Sequence, residues 1–329
     1  MKKYTHAWIS LKAIEYLFSI ENQLSDEHKA YLKRFQKFIS NNPNSFLRGT
    51  WFPDTVIKDN IQGGHTWKYE KDDVNGKAET KRPPAYHTGQ SKVQSIINTK
   101  VMLDAKISDL PDRCEALSQQ IRDAVLIMNT LGKGDPLSFN NSQIALLFQI
   151  LSHYVADAHM PLHCDNRDFY DPSKIHEDIE VFWEDEILKY YTLSKKYDIF
   201  DLTEDNILEP KPDPNYKNSF LSSVDSNLAD PVNIPDNKNW RDYIGSTNNN
   251  IWDFLVSICY ISFLQSITIL PLDAKDSFYD KSFRIMKVIP YNDRVIDYSA
   301  YVISDAIKSV AFVWLATWER WELLEDGIR

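Results

Sequence analysis

Apolar residues recur at helical spacing along most of the chain. Trp8, Ile9, Leu11, Ile14, Leu17 and Phe18 fall on that spacing between residues 6 and 20 and predict a first helix. Ser25-Asp26-Glu27 is a good start for a second helix, running to about residue 39. The pattern then lapses. From about 41 to 91 the chain is rich in Asn, Gly, Pro and Lys, with NNPNS, WFPD, QGGH and KRPPAYH. Loops of that length in a compact domain are usually functional or disordered. Periodicity resumes over 92–131, with a break expected at Pro111, and again over 141–159, where Pro161 stops it. Another helix is expected at about 174–191. Residues 203–248 are polar, with five prolines, and read as a long connection holding one short helix. Two long apolar helices, about 249–270 and 294–325, close the chain. There is no internal repeat and no convincing strand alternation. The expectation is an all-α fold: a single multi-helix domain over 1–329 with two long loops.

One apolar run calls for a membrane test. Phe254 to Leu272 is uncharged for 19 residues, close to the length of a spanning helix. It also carries Ser257, Ser262, Gln265, Ser266 and Thr268, so a buried core helix is expected. The amino terminus has two lysines but no long apolar run and no small-residue cleavage site. That is the pattern of a cytoplasmic chain, or of one numbered without its leader, with export by another route left open.

Composition narrows the classes further. Hydrophobic residues make up 43% of the 329 residues and aromatics 13%, enough for a sizeable core and too much for general disorder. Lys+Arg number 37 against 47 Asp+Glu, a net charge of −10, which is the wrong sign for a passive duplex-binding module. A nuclease whose metal ions supply positive charge locally is still allowed. Nine glycines, with no GxGxxG and no GxxxxGK[ST], leave out the common phosphate cradles. Cys114, Cys164 and Cys259 are an odd number at wide spacing and suit free thiols better than a disulfide framework.

Candidate chemistry lies with the histidines. His153 and Asp157 are four apart, so on a helix they share one face. Two donors from one helical turn can grip one ion. His163 lies just past the helix end set by Pro161 and can serve a neighbouring ion. His176 and Glu180 repeat the four-residue spacing thirteen residues after His163. In the first loop, Asp54 follows a proline and His65 follows two glycines, backbone able to aim each side chain. With His6 in the first helix these make five imidazoles and three carboxylates, an N/O set suited to zinc. Eight donors are too many for one tetrahedral ion and sensible for two or three with a bridging carboxylate. Three carboxylates against two or three dications leave a net positive well, where a phosphate ester would bind.

This ordered series, His6, Asp54, His65, then His153-x3-Asp157-x5-His163, then His176-x3-Glu180, resembles the zinc-dependent phospholipase C and S1/P1 nuclease superfamily. The matched motifs span about residues 5–185. The resemblance implies an all-α fold with a cluster of up to three zinc ions. It implies one ion held by Asp54, His65, His153 and Asp157, a second by His163, His176 and Glu180, and a third by His6 and a bridging Asp157. The implied chemistry is phosphate-ester hydrolysis by metal-activated water, with Asp54 orienting or deprotonating that water. Glu180, in place of Asp, leans towards the phospholipase branch.

The chain also departs from that pattern. Secreted relatives begin at a Trp that completes the third site, whereas here Met1-Lys-Lys-Tyr-Thr precedes His6, so unless the chain is processed that site is expected to be weak, differently completed or empty. Thr55 follows the loop Asp where phosphatidylcholine-cleaving relatives have an aromatic residue, so a choline pocket of that kind is not supported. Three functions follow. The first is a phospholipase C-like phosphodiesterase acting on a phospholipid headgroup, with Trp51, Phe52, Trp67 and Tyr69 either a peripheral membrane contact or packed locally within the long loop. The second is an S1/P1-type nuclease or nucleotidase, in which those aromatics would stack the bases of single-stranded nucleic acid. The third is a non-catalytic zinc scaffold, which would need fewer ligands than the set present. No protein partner is expected. His159 matches no ligand position and reads as supporting or structural. His87 and His28 read as solvated, and Cys164 as a partly buried thiol.

Overall fold

The computed structural model describes residues 1–24, 26–42, 49–59, 64–69, 109–132, 134–166, 175–192, 209–211, 213–229, 251–270 and 292–327. These are overwhelmingly helical, as expected: α1 (Lys3–Ser19), α2 (Asp26–Ser40), α3 (Leu110–Leu131), α4 (Asn141–Ala158), α5 (Ile175–Tyr190), α6 (Phe220–Ala229), α7 (Ile251–Ile269) and α8 (Asn292–Gly327). His87 and the helical pattern expected over 92–108 lie outside the described residues.

Pro111 does not break a helix but opens one. It sits in the first turn of α3, where its missing N–H would have no partner in any case. A two-stranded sheet, not expected from the sequence, occurs among the described residues. Tyr191–Thr192 pairs antiparallel with Glu209–Pro210 directly after α5.

The core is built around α8. Trp314 donates its indole N–H to the Phe148 carbonyl at 2.8 Å, fixing α8 against α4. Phe35, Phe38, Phe148, Trp318 and Trp321 pack around that junction with ring centroids 4.3–6.4 Å apart. Ser118 and Thr317 join α3 to α8 at 3.0 Å. The apolar α7 packs against α3, α4 and α8. By length and composition both α7 and part of α8, Tyr298–Trp321, could cross a membrane; in the fold 89% of that part of α8 is buried, against 56% of α7.

Helices α1, α4 and α5 carry five of the eight candidate ligands. An Asn140 capping box starts α4: the Asn140 side chain accepts from Gln143 N–H at 3.0 Å, and the Gln143 side chain accepts from Asn140 N–H at 2.9 Å. Ser10 and Ser152 meet at 2.8 Å, tying α1 to α4 one turn from His6 and beside His153. The segment after His65 runs along the segment after His163. Trp67 N–H bonds the His163 carbonyl at 3.3 Å, Tyr69 N–H the Cys164 carbonyl at 2.9 Å, and Asn166 N–H the Tyr69 carbonyl at 2.9 Å. This pairing holds the first loop at the end of α4.

Candidate metal centre

The structure brings all eight candidate ligands together. His153 and Asp157 are buried on one face of α4, and His6 comes from the first turns of α1. Asp54 lies in a π-helical turn, Pro53–Ile57, that continues the helical residues 49–52. His163 ends the short Pro161–His163 helical turn, and His176 and Glu180 lie on α5. Three sets each bring one donor atom per residue within 4.8 Å of one another: His6, His153 and Asp157; Asp54, His65 and His153; and His163, His176 and Glu180.

Asp157 joins these sets. Its Oδ2 is 2.7 Å from His65 Nδ1 and 3.2 Å from His153 Nε2. Its Oδ1 is 3.4 Å from His6 Nε2 and 3.4 Å from His163 Nδ1. The rings of His6 and His153 stack at 3.7 Å. His153 Nδ1–H donates to the Thr50 carbonyl at 2.7 Å, which leaves Nε2 facing the cluster. Glu180 Oε1 accepts from His163 and His176 at 3.3 and 3.1 Å.

The donor set fits a metal. Among the described residues His6 Nδ1 is buried without a hydrogen-bond partner, while His6 Nε2 and His163 Nδ1 have only the long 3.4 Å approaches to Asp157 Oδ1, and such groups are costly unless something binds them. Burial, then the neighbouring His153, lowers the His6 pKa to about 4. Burial lowers that of His163 to about 3 and also pulls His176 down. These imidazoles are therefore neutral at physiological pH, the form that donates a lone pair. Burial works against the charges on Asp157 and Glu180 too. The Met1 ammonium and the surrounding histidines nevertheless hold both carboxyls well below their ordinary range.

The Met1 ammonium lies at the same cluster. No Trp stands at the start, but the α-amine of Met1 itself is buried beside His6, 2.9 Å from Asp157 Oδ1 and 3.0 Å from Glu180 Oε1. Burial would lower its pKa, but those carboxylates outweigh burial and raise it to about 11.

Of the two readings of the loop aromatics, the fold shows local packing. Trp51, Trp67 and Tyr69 are 2, 7 and 4% exposed, so none of them is a lipid surface or a base platform. Trp51 donates to the Lys3 carbonyl at 2.7 Å and stands edge-on to Tyr4. Trp67 packs on Trp252, and Tyr69 on Tyr260 and Phe263. Phe52 is half-buried against the core. His28 is buried on α2 beside Tyr31 rather than solvated. Cys164 is wholly buried, as are Cys114 and Cys259. His159 is structural: it is buried and meets Ser309 Oγ at 2.8 Å. Thr55, beside Asp54, is turned back to the Trp51 carbonyl at 2.7 Å.

Three residues that carry no spacing signal also join the site. Asp59 accepts from His65 Nε2–H at 2.8 Å, while its other oxygen accepts from Tyr154 at 2.6 Å and Arg113 at 2.8 Å. An aspartate six residues before a histidine follows no periodic rule, so only the fold reveals the contact. Burial opposes the charge on His65, but the bonds from Asp157 and Asp59 raise its pKa to about 10.

No curated protein and no solved structure matches this chain. The family description of zinc dependent phospholipase C matches residues 5–233, which include every ligand candidate above. With its helical fold and this donor cluster, the chain belongs to the zinc-dependent phospholipase C family.

Proposed function

We propose that this protein is a zinc-dependent phosphoric ester hydrolase that cleaves a phospholipid headgroup, using two or three ions held by the eight residues above. One observation carries the reading. The two oxygens of Asp157 face two different donor sets, as a carboxylate bridging neighbouring ions must. Asp54, His65 and His153 lie on one side of it. His6, His163 and the Met1 amine lie on the other, with His176 and Glu180 next to His163.

Zinc, if held by these residues, would polarise phosphoryl oxygens and lower the pKa of the attacking water. The chain supplies the rest. Asp54 orients that water and takes its proton. Its side chain is 34% exposed, and its Oδ1 lies 3.8 Å from His65 Nδ1 and 3.7 Å from His153 Nε2, beyond hydrogen-bond distance. That carboxylate is thus accessible from outside, whereas Asp157 is 0% exposed and committed to imidazoles. His153 and His65 keep their metal-facing nitrogens aimed by bonds from their opposite nitrogens.

The test uses one zinc-loaded preparation against mixed vesicles of phosphatidylcholine, phosphatidylethanolamine and phosphatidylserine, and against single-stranded DNA, each with and without chelator. Chelator-sensitive release of a phosphorylated headgroup supports the reading. Cleavage of DNA alone overturns it in favour of the S1/P1 nuclease branch, and zinc binding without either activity makes the site a scaffold.

A further inference from the structure

Asp59 lies outside the ligand series, but its geometry is specific. It is 7% exposed, and both carboxylate oxygens are engaged. Oδ1 meets His65 Nε2 at 2.8 Å, the ring nitrogen opposite the one facing Asp157. Oδ2 is clamped by the Tyr154 hydroxyl at 2.6 Å and Arg113 Nη2 at 2.8 Å. Arg113 also reaches the Tyr154 hydroxyl with Nε at 3.4 Å, so the two clamping groups brace each other. The backbone closes the same loop, with Gly64 N–H bonded to the Asp59 carbonyl at 3.3 Å. A Cβ on Gly64 would stand 2.8 Å from Asp59 Oδ2. The second glycine of Gly-Gly-His thus leaves room for this carboxylate, beyond any need for chain flexibility.

We infer that Asp59 is the positioning residue for the His65 site: it holds the proton on Nε2, so that Nδ1 faces the cluster as a donor. The inference rests on the zinc reading above. A neutral imidazole has one donor and one acceptor nitrogen, and the partner of one decides the role of the other. A carboxylate on the distal nitrogen also makes the ligand nitrogen more basic. Tyr154 lies on α4, one residue from His153, and Arg113 lies on α3. The orientation of His65 is therefore referred to two core helices, although His65 itself sits in a loop.

The experiment compares zinc affinity, by competition with a chromophoric chelator, in the full-length wild type, Asp59→Asn and Tyr154→Phe. Loss of such an outer carboxylate typically costs 10- to 100-fold in metal affinity, and that fall is expected for one class of zinc in Asp59→Asn. The zinc held through His163, His176 and Glu180 should bind as before. A smaller fall is expected in Tyr154→Phe, which keeps the test open if Asp59→Asn does not fold. In the zinc-loaded wild type, the His65 Nε2–H proton should give a slowly exchanging low-field NMR signal that Asp59→Asn shifts or removes. A purely structural role would lower stability without moving that signal. Wild-type affinity for every zinc, with an unmoved signal, in the folded variants overturns the inference. Failure of the wild type to bind zinc at all overturns the metal reading and the inference with it, a result distinct from a deficit confined to the variants.

Discussion

Gly49 lies against Gln149: a Cβ placed on Gly49 would come 2.1 Å from Gln149 Cβ and 2.8 Å from the Leu146 carbonyl oxygen. Backbone meets helix here with room only for hydrogen. The neighbour Thr50 supplies the carbonyl that receives His153 Nδ1–H at 2.7 Å, so the close approach also sets a ligand's tautomer. Gly49→Ala must push residues 49–52 off α4. Overpacking of this kind costs about 1–3 kcal/mol, which predicts a lower melting temperature by thermal scan. Weaker zinc binding at the His153 site should accompany it, because Thr50 moves with the backbone.

The parts of this centre that were legible in sequence are those governed by local periodicity. His153 with Asp157, and His176 with Glu180, are pairs whose shared face follows from helix geometry alone, and α4 and α5 deliver both. Helix extents were legible for the same reason, with α7 at Ile251–Ile269 against an expected 249–270. What local pattern cannot encode is the meeting of distant segments. Asp59 reaches Arg113 across 54 positions and Tyr154 across 95, and the Met1 amine reaches Asp157 across 156. The loop aromatics show the converse case, in which sequence left a surface role and local packing both open. Trp51 and Trp67 look like an exposed recognition surface because their surroundings are polar in sequence, yet the fold uses them to seat the loop on α1 and α7.

Asp54→Asn separates catalysis from architecture. Its carboxylate is one-third exposed and makes no short ion pair, so the fold loses little with it. Loss of a group positioned for proton transfer typically costs 10²–10⁴-fold. Turnover of vesicle lipid should therefore fall by at least about 100-fold, with the thermal midpoint of the chelator-treated protein unchanged. A large drop in that midpoint would show that Asp54 is structural.

Asp157→Asn should behave in the opposite way. The carboxylate is wholly buried among the Met1 amine and four imidazoles. Removing one member of a buried charge pair typically costs about 3–5 kcal/mol, because the partner is left uncompensated. The variant should be destabilised even without metal, as urea unfolding of the chelator-treated protein will read. It should also lose zinc from more than one site, since both oxygens are shared between donor sets.

Acid sensitivity has an identifiable source away from the metal centre. Burial lowers the His159 pKa to about 3, while an unfolded histidine titrates near 6.5. Below that value the unfolded chain takes up a proton that the folded chain refuses, so stability falls with pH until about pH 3 is reached. At pH 4 this one residue removes about 3 kcal/mol. His159→Gln keeps a polar partner for Ser309 and does not titrate, so its acid-unfolding midpoint should lie at lower pH than that of the wild type. An unchanged midpoint would assign acid lability to other groups.

Zinc binding should release protons, and the release should be specific in origin. His6 and His163, with pKa values lowered to about 4 and 3, are already neutral at pH 8 and have no proton to give. His65 is different. With its pKa raised to about 10 in the metal-free cluster, it carries two ring protons at pH 8, and Nδ1 must lose one to donate to a metal. The Met1 amine, raised to about 11, must lose one as well if it takes part in a chain that starts at Met1. Titration calorimetry with zinc at pH 8, in two buffers of different protonation enthalpy, should therefore give a heat that depends on the buffer. About one proton per chain is expected from His65, and a second where the amine is a ligand. Acetylation of the amine should abolish only the second. His65→Asn should abolish the first and weaken the site at the same time, since the ion loses a donor. Apparent affinity of the His65 site should rise with pH up to about 10 in the wild type, while a buffer-independent heat would exclude His65 from the metal.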